Sequence, residues 1–406
     1  MNASPSSGTA STLAADAVFM DRTLELAARG VALASPNPRV GAVLVRDGRV
    51  VGEGFHTYDG VRHAEVIALK AARESTRGAT LYINLEPCCH TGRTGPCTQA
   101  LIEAGVARVV AAMADPNPAV AGRGFKQLRA AGIEVSTGLR EAEAKRLNEA
   151  FARWIVSRRP LVTLKSALTL DGQLVLPEAK RGARKGARTS QTDRWISSPE
   201  SRAEVHRMRH ASDALLTGIG TVLVDDPLLT DRTGLPRRRK LLRVVLDSRL
   251  RLPLRSKLVR SADGDVLVFT RAKENSPKAR DLRRAGVEVV RLDGRGTEPD
   301  LRAAIAELGR REILSVLLEA GAILNSAALA AGIVDKMRVF FAPKDAGFEG
   351  AASAAPFGMT AKINADSGTA TSFHAELPRK LKNATTAQFG PDFAVEGYLR
   401  DVYRTR

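Results

Sequence analysis

Apolar and polar positions along this chain switch repeatedly between a helical and a strand period. Residues 16–36 carry the helical pattern up to Ser35-Pro36-Asn37-Pro38, where the prolines end it. Residues 40–45 and 49–54 read as a hairpin around Asp47-Gly48. Helix is then expected over 63–73, strand over 80–85, helix over 98–104 and strand over 106–112. Helix over 125–131, strand over 133–136 and a longer helix over 141–154 complete this half. Strands alternating with helices predict an α/β sandwich.

Arg158-Arg159-Pro160 marks a boundary. Past it, strands are expected over 161–167 and 173–176, joined at Asp171-Gly172. A basic, glycine-containing stretch at 177–194 reads as an exposed loop. Residues 198–209 read as a capped helix with Pro199 near its first turn. Strands follow at 213–217, 243–247, 265–270, 287–292, 314–319 and 336–342, with helices at 277–284, 299–307 and 324–331 between the later ones. The Asp225-Asp226-Pro227 run reads as a turn, 346–372 as a long loop and 393–403 as a last strand. The second half is therefore α/β as well. The expected organisation is a disordered leader over 1–15, one domain over 16–157 and another over 158–406, as suits 406 residues.

Composition narrows this little. Apolar residues make up 44%, enough for large cores, while aromatics are only 4%, so packing rests on Ala, Val and Leu. No apolar run has the ~18–20 residues of a membrane span. The small, polar first fifteen residues lack a signal peptide's basic start and apolar core. Three clustered cysteines suit a reducing cytoplasm. The net charge of +18 raises the question of nucleic acid. The basic residues are spread along the chain, however, and few aromatics interleave with them to stack on bases.

The chemistry is concentrated in His63-Ala64-Glu65, Pro87-Cys88-Cys89-His90 and Gly95-Pro96-Cys97, which hold every cysteine. A nitrogen donor, two separated thiolates and a carboxylate two residues past the histidine make up a zinc site that activates water against an aminated pyrimidine or purine ring. His63, Cys88 and Cys97 supply three ligands and leave a fourth position for water. Glu65 cannot share the metal with His63, because positions i and i+2 do not share a helix face. It is placed to move protons from the water to the ring and the leaving amine. A four-ligand structural zinc site would need Cys89 or His90 as well.

These motifs resemble the bifunctional deaminase/reductase family of riboflavin biosynthesis, over roughly residues 19–403. The first half of the likeness rests on Pro36-Asn37-Pro38-Arg39-Val40-Gly41, His63-Ala64-Glu65 and the run from Glu86 through His90-Thr91-Gly92-Arg93-Thr94 to Cys97. Eight residues separate Cys88 from Cys97, where nucleic-acid deaminases place two. The second half rests on Lys165-Ser166-Ala167, Trp195-Ile196-Ser197, His206-Arg207-Met208-Arg209, the run from Thr217-Gly218-Ile219-Gly220-Thr221 to Thr230, Leu246-Asp247-Ser248 and Glu319-Ala320-Gly321. Ala320 stands where the family usually has the first of two glycines.

The resemblance implies a cytidine-deaminase-like α/β/α sandwich followed by a dihydrofolate-reductase-like α/β domain using NADPH. It implies zinc on His63, Cys88 and Cys97, proton transfer by Glu65, and Asn37 and His90 lining a pyrimidine pocket. On the residues alone, Asn37 fits a Pro-Asn-Pro turn equally well. In the second domain it implies cofactor contacts from Ala167, Trp195, Thr221, Asp225, Ser248 and Gly321. Asp193, Arg209, Leu229 and Arg232 would meet the ribose phosphate, and Lys165, Asp225 and Glu319 the reacting carbon. Cations suit a sugar phosphate independently of any family, and Gly218 and Gly220 let backbone amides approach one.

The expected activity is zinc-dependent deamination of 2,5-diamino-6-(5-phosphoribosylamino)pyrimidin-4(3H)-one, followed by NADPH-dependent reduction of its ribosyl chain to ribityl. The expected setting is a cytoplasmic homo-oligomer with a phosphorylated small-molecule substrate and no nucleic-acid or membrane partner. Two other readings fit the same residues: a nucleic-acid base deaminase with a fused binding domain, and a zinc-stabilised scaffold with a degenerate reductase half. The first predicts binding that collapses as salt rises. The second predicts four protein ligands on the metal.

Overall fold

The computed structural model describes residues 7–92, 95–169, 196–292, 300–343 and 381–404. Two compact units emerge. One comprises residues 1–158 with the short returns Pro236–Arg239 and Tyr403–Arg406; the other holds the rest.

The first unit is built on a five-stranded sheet in the order β2-β1-β3-β4-β5. Strands β1 (Gly41–Arg46) and β2 (Arg49–Phe55) form the expected hairpin. Strand β3 (Thr80–Ile83) runs antiparallel to β1, and β4 (Arg108–Ala111) and β5 (Glu134–Thr137) continue parallel to β3. Glycines set how closely helices approach this sheet. A Cβ on Gly41 would lie 2.6 Å from the Ala27 nitrogen of helix α1 (Ser7–Ala28). On the other face, a Cβ on Gly52 would lie 2.9 Å from the Ala72 nitrogen of α2 (Ala64–Ala72), and one on Gly54 would lie 2.7 Å from Ile67 Cβ. Gly52 and Gly54 pair with Leu44 and Ala42, one position out of phase with Gly41, so the two helices lie on opposite faces. Helix α5 (Glu141–Ser157) packs beside α1, while α3 (Cys97–Glu103) bridges α2 and α4 (Arg123–Ala130). This is the expected three-layer sandwich, with an apolar core of Leu44, Leu81, Ile83, Leu101 and Leu128.

The second unit carries a nine-stranded sheet. Helix α6 (Pro199–Ala211) and strands β6 (Leu161–Thr169) and β7 (Ala214–Gly218) lead into it, followed by α7 (Ile219–Asp225) and β8 (Leu242–Leu246). Then come α8 (Lys257–Arg260), β9 (Val266–Thr270), α9 (Pro277–Arg284), β10 (Val287–Arg291) and α10 (Leu301–Arg310). The unit ends with β11 (Ser315–Glu319), α11 (Ala322–Ala330), β12 (Lys336–Ala342), β13 (Lys382–Phe389) and β14 (Asp392–Tyr398). Seven strands, β10-β9-β8-β7-β11-β6-β12, are parallel, and β14 and β13 extend the edge antiparallel. Alternate residues feed two cores, one per face: Leu216, Val244 and Leu267 in the first, Leu215, Val245 and Val268 in the second.

Several boundaries differ from expectation. Helix α1 starts at Ser7, so it reaches into the segment assigned to a disordered leader, and it stops at Ala28 rather than near 36. Residues 29–36 turn instead, with Ala32 in the left-handed region. The last strand ends at Tyr398, and its partner β13 was not anticipated: its side chains are nearly all exposed and show no apolar alternation. Helix α7 was also missed, because its glycines and the acidic pair at its end read as loop; Asp225 is its final residue and Asp226, at φ 42°, caps it. The strand expected over 173–176, the loops at 177–194 and 346–372, and the predicted contacts Asp193 and Trp195 lie outside the described residues.

Candidate functional site

The N-terminus of α2 creates the first site. His63 is the N-cap, with extended backbone at φ −74° and ψ 158°, and Glu65 stands in the first turn. Cys97 opens α3, and Cys88 follows β3 in the loop that Glu86 ties down. The buried Glu86 carboxylate accepts backbone N–H bonds from Asp115, Gly122, Gly124 and Phe125 at 2.8–3.3 Å. It thereby joins the loop to the start of α4, a role its place in the motif did not disclose.

His63 Nδ1 lies 3.1 Å from Cys97 Sγ and 3.5 Å from Cys88 Sγ, and all three donor atoms fall within 4.8 Å of one another. A tetrahedral zinc with ordinary Zn–N and Zn–S bonds spaces its ligand atoms about 3.5–3.8 Å apart, so the trio fits that ion. Among the described residues no fourth such donor joins them, and Cys89 stays outside the group. The scaffold reading, which needed four protein ligands, loses its basis here.

Electrostatics point the same way. The Cys97 thiol and His63 beside it draw the Cys88 thiol down, while the contact with Cys88 and burial push Cys97 up. One sulfur is thus ready as a thiolate at neutral pH, and the other follows when a cation arrives. Burial pushes the Glu65 carboxyl up against the opposing pull of His63, which suits a group that must both take and return a proton. Asp115, close behind the loop, is pushed up to about 7, chiefly by burial.

Asn37 Nδ2 lies 2.9 Å from His56 Nε2, and His56 Nδ1 lies 2.9 Å from the Arg62 carbonyl. The His56 ring meets His63 edge-on with centroids 5.4 Å apart, so Asn37 is linked to the metal cluster through one imidazole. His90 stands exposed on the loop two positions past Cys88.

The second site lies at the C-terminal edge of the parallel strands, where open α/β sheets bind their ligands. Strands β8, β7, β11 and β6 are consecutive neighbours. Glu319 ends β11 with Gly321 just beyond it, Ser248 follows β8, Thr221 stands in the first turn of α7 after β7, and Lys165 and Ala167 lie within β6. Gly220 and Gly321 border open space, with no atom within 4 Å of where a Cβ would stand. That open backbone leaves room for a ligand to approach the starts of α7 and α11. The Ala320 methyl packs against the apolar core, so the departure from a second glycine does not fill that space.

Glu319 pairs in register with Lys165, which puts both side chains on one face of the sheet. Burial opposes Glu319's charge, and the Arg209 guanidinium outweighs it, holding the carboxyl below its ordinary value. The pair is bidentate at 2.7 and 2.9 Å, with both side chains mostly covered. Arg209 also donates to the Thr230 carbonyl at 3.1 Å, and His210 meets Asp231 at 2.8 Å. The turn bearing buried Leu229, left-handed at φ 56°, and exposed Arg232 is thus stapled to α6. Burial lowers the Lys165 ammonium's pKa. Asp225 is exposed at the end of α7.

A sandwich that gathers three metal donors beside a carboxylate, followed by a largely parallel α/β sheet, is the build of a two-domain enzyme, a zinc deaminase followed by a reductase. Residues 14–113 match the cytidine and deoxycytidylate deaminase zinc-binding region, and residues 160–393 match the RibD C-terminal domain. The riboflavin biosynthesis protein RibD of Aquifex aeolicus is 42% identical over 81% of this chain and 87% of its own. A solved RibD structure from Acinetobacter baumannii is 34% identical at TM-score 0.75, covering 95% of this chain and 99% of that one. A diaminohydroxyphosphoribosylaminopyrimidine deaminase/5-amino-6-(5-phosphoribosylamino)uracil reductase from Thermotoga maritima gives the same coverage and TM-score at 33% identity. The chain belongs to the RibD family of bifunctional deaminase/reductases of riboflavin biosynthesis, with zinc and NADPH as cofactors. It is an enzyme of a small-molecule pyrimidine, both hydrolase and oxidoreductase.

Proposed function

We propose that residues 16–157 remove the amine from 2,5-diamino-6-(5-phosphoribosylamino)pyrimidin-4(3H)-one and that residues 158–406 then reduce the ribosyl chain to ribityl. The gathering of His63, Cys88 and Cys97 beneath the first turn of α2, with Glu65 beside them, carries the reading. When bound, zinc supplies the Lewis acid that makes water nucleophilic near pH ~7. Glu65 would take one water proton at its buried carboxylate and pass it to the ring nitrogen, then carry the remaining hydroxyl proton to the departing amine, which leaves as ammonia. Asn37 and His90 hold the pyrimidine.

In the second unit NADPH supplies the hydride. Ala167, Trp195, Thr221, Asp225, Ser248 and Gly321 hold the cofactor. Asp193, Arg209, Leu229 and Arg232 hold the ribose phosphate, with Arg209 aimed by its bonds to Glu319 and Thr230. Lys165, with its proton loosened by burial, and Glu319 and Asp225 surround the reacting carbon and manage its protons. The same proposal has a cytoplasmic homo-oligomer without nucleic-acid or membrane partners. Free cysteines fit that compartment, and exposed Val224 and Ile323 fit a subunit contact that sedimentation velocity tests.

The decisive experiment supplies the pyrimidine with and without NADPH and weighs the products. Deamination adds about one dalton and reduction about two more. The proposal expects the first change without NADPH and both with it; an unchanged mass overturns it.

A further inference from the structure

We propose that His56 is a specificity-positioning residue: it fixes the Asn37 carboxamide so that its oxygen faces the substrate, selecting a ring edge that offers a hydrogen-bond donor. The inference rests on the deaminase reading of the first unit. It starts from the Arg62 carbonyl, which can only accept a hydrogen bond. At 2.9 Å from that oxygen, His56 Nδ1 must carry a hydrogen. In the neutral ring a proton on Nδ1 leaves Nε2 an acceptor, and the Asn37 atom 2.9 Å away is then the donating nitrogen. The carboxamide is planar, so fixing Nδ2 on His56 turns Oδ1 the other way. Oδ1 has no hydrogen-bond partner among the described residues.

The arrangement is held firmly at both ends. His56 is 3% exposed and meets the His63 ring edge-on, and turning its ring over would break both of its hydrogen bonds. The Arg62 carbonyl is aimed at it by an uncommon backbone: Val61, a β-branched residue, sits at φ 61° in the left-handed region. That strain falls in the link between β2 and the zinc-binding end of α2. At the other end the Asn37 N–H bonds the Ala34 carbonyl at 2.9 Å, anchoring the backbone from which the amide projects. Recognition by a fixed acceptor discriminates strongly, since a carbonyl presented by the wrong ligand leaves two acceptors facing each other in a partly buried site. An amino or ring N–H group is accepted, and a ring carbonyl at that edge is rejected.

The test uses the full-length, zinc-loaded protein labelled with nitrogen-15 in its histidines. Long-range nitrogen–proton correlation, assigned by loss of the His56 signals in His56→Gln, reports which ring nitrogen is protonated. The inference expects Nδ1 protonated and Nε2 bare, and a protonated Nε2 overturns it. Kinetics give a second arm. His56→Ala should raise KM for the diaminopyrimidine about tenfold while kcat stays within about twofold and zinc remains bound. His56→Gln, whose Oε1 accepts from Asn37, should recover most of that KM. A Gln variant no better than Ala overturns the inference, because a purely structural role for His56 predicts that outcome. Ammonia release by the unaltered protein tests the deaminase reading separately, since its absence would leave the tautomer result standing.

Discussion

Glu65 concentrates what a single side chain contributes here. It is 3% exposed, in the first turn of α2, and too near His63 in sequence to share its metal. Replacing it by Gln keeps shape and burial and removes the carboxylate proposed to shuttle protons. The expected result is a deaminase rate lowered at least about 10²–10⁴-fold. Zinc should remain at one per chain by atomic absorption, and reduction of pre-deaminated substrate should be unaffected. Retained ammonia release would remove Glu65 from the chemistry. The metal trio was legible in the sequence because residue type and order determine it: few other arrangements use a histidine, two cysteines and a carboxylate at such offsets. His56 was not legible. It lies 19 positions from Asn37, and only the folded turn before α2 aims the Arg62 carbonyl at it. Glu86 sat inside a recognised motif, yet its work, four backbone N–H bonds from residues 115–125, depends on contacts that no local pattern announces.

At the scale of elements, the placement of α1 and α2 decides whether the site exists. Gly54 leaves room for the first residues of α2, and a methyl there would collide with Ile67 Cβ at 2.7 Å and with the backbone of the turn bearing Glu65. Gly54→Ala should therefore cost about 1–3 kcal/mol of stability and loosen zinc. Thermal unfolding and a competitive chelator titration measure the two effects, and an unchanged zinc affinity would show that α2 is not positioned this way. Helix α1 is secured differently. Its Asp16 carboxylate receives both Arg108 guanidinium nitrogens at 2.7 and 2.9 Å and the Tyr82 hydroxyl at 2.6 Å, tying α1 to β4 and β3. Burial pushes the Asp16 pKa up, but the bonds from Arg108 and Tyr82 prevail and hold it below 3.8. A depressed carboxyl stabilises the fold at pH above its unfolded value and loses that contribution as pH falls through its folded value. Asp16→Asn should thus be about 1.5–3 kcal/mol less stable at neutral pH, and the gap should narrow as pH falls below the ordinary carboxylate range. Denaturant melts across that range check the sign. Elements with strong periodicity were readable to within a few residues. Helix α7 and strand β13 were not, since one hides in a glycine-bearing turn and the other buries almost nothing.

For the molecule as a whole, two sheets of different construction carry two cofactors of different chemistry, and each half of the chain predicts its own dependence. The zinc ligands come entirely from α2, α3 and the loop after β3, all in the first unit. Gly220 and Gly321, proposed to meet the second cofactor or its phosphates, and the Lys165, Arg209 and Glu319 cluster come entirely from the second. The net charge of +18, which admitted nucleic acid as a partner, is an excess of 62 Lys and Arg over 44 Asp and Glu; some of those bases, such as Arg311 and Arg243, are held in ion pairs with Glu288 and Asp265. A chelator should then stop ammonia release while leaving NADPH oxidation on pre-deaminated substrate intact. Omitting NADPH should do the reverse. Restoring zinc should return the first activity unless the emptied loop has unfolded, which circular dichroism would reveal. Loss of both activities on chelation, with the fold intact, would mean that the second site depends on the metal and that the two halves do not work as separate catalysts.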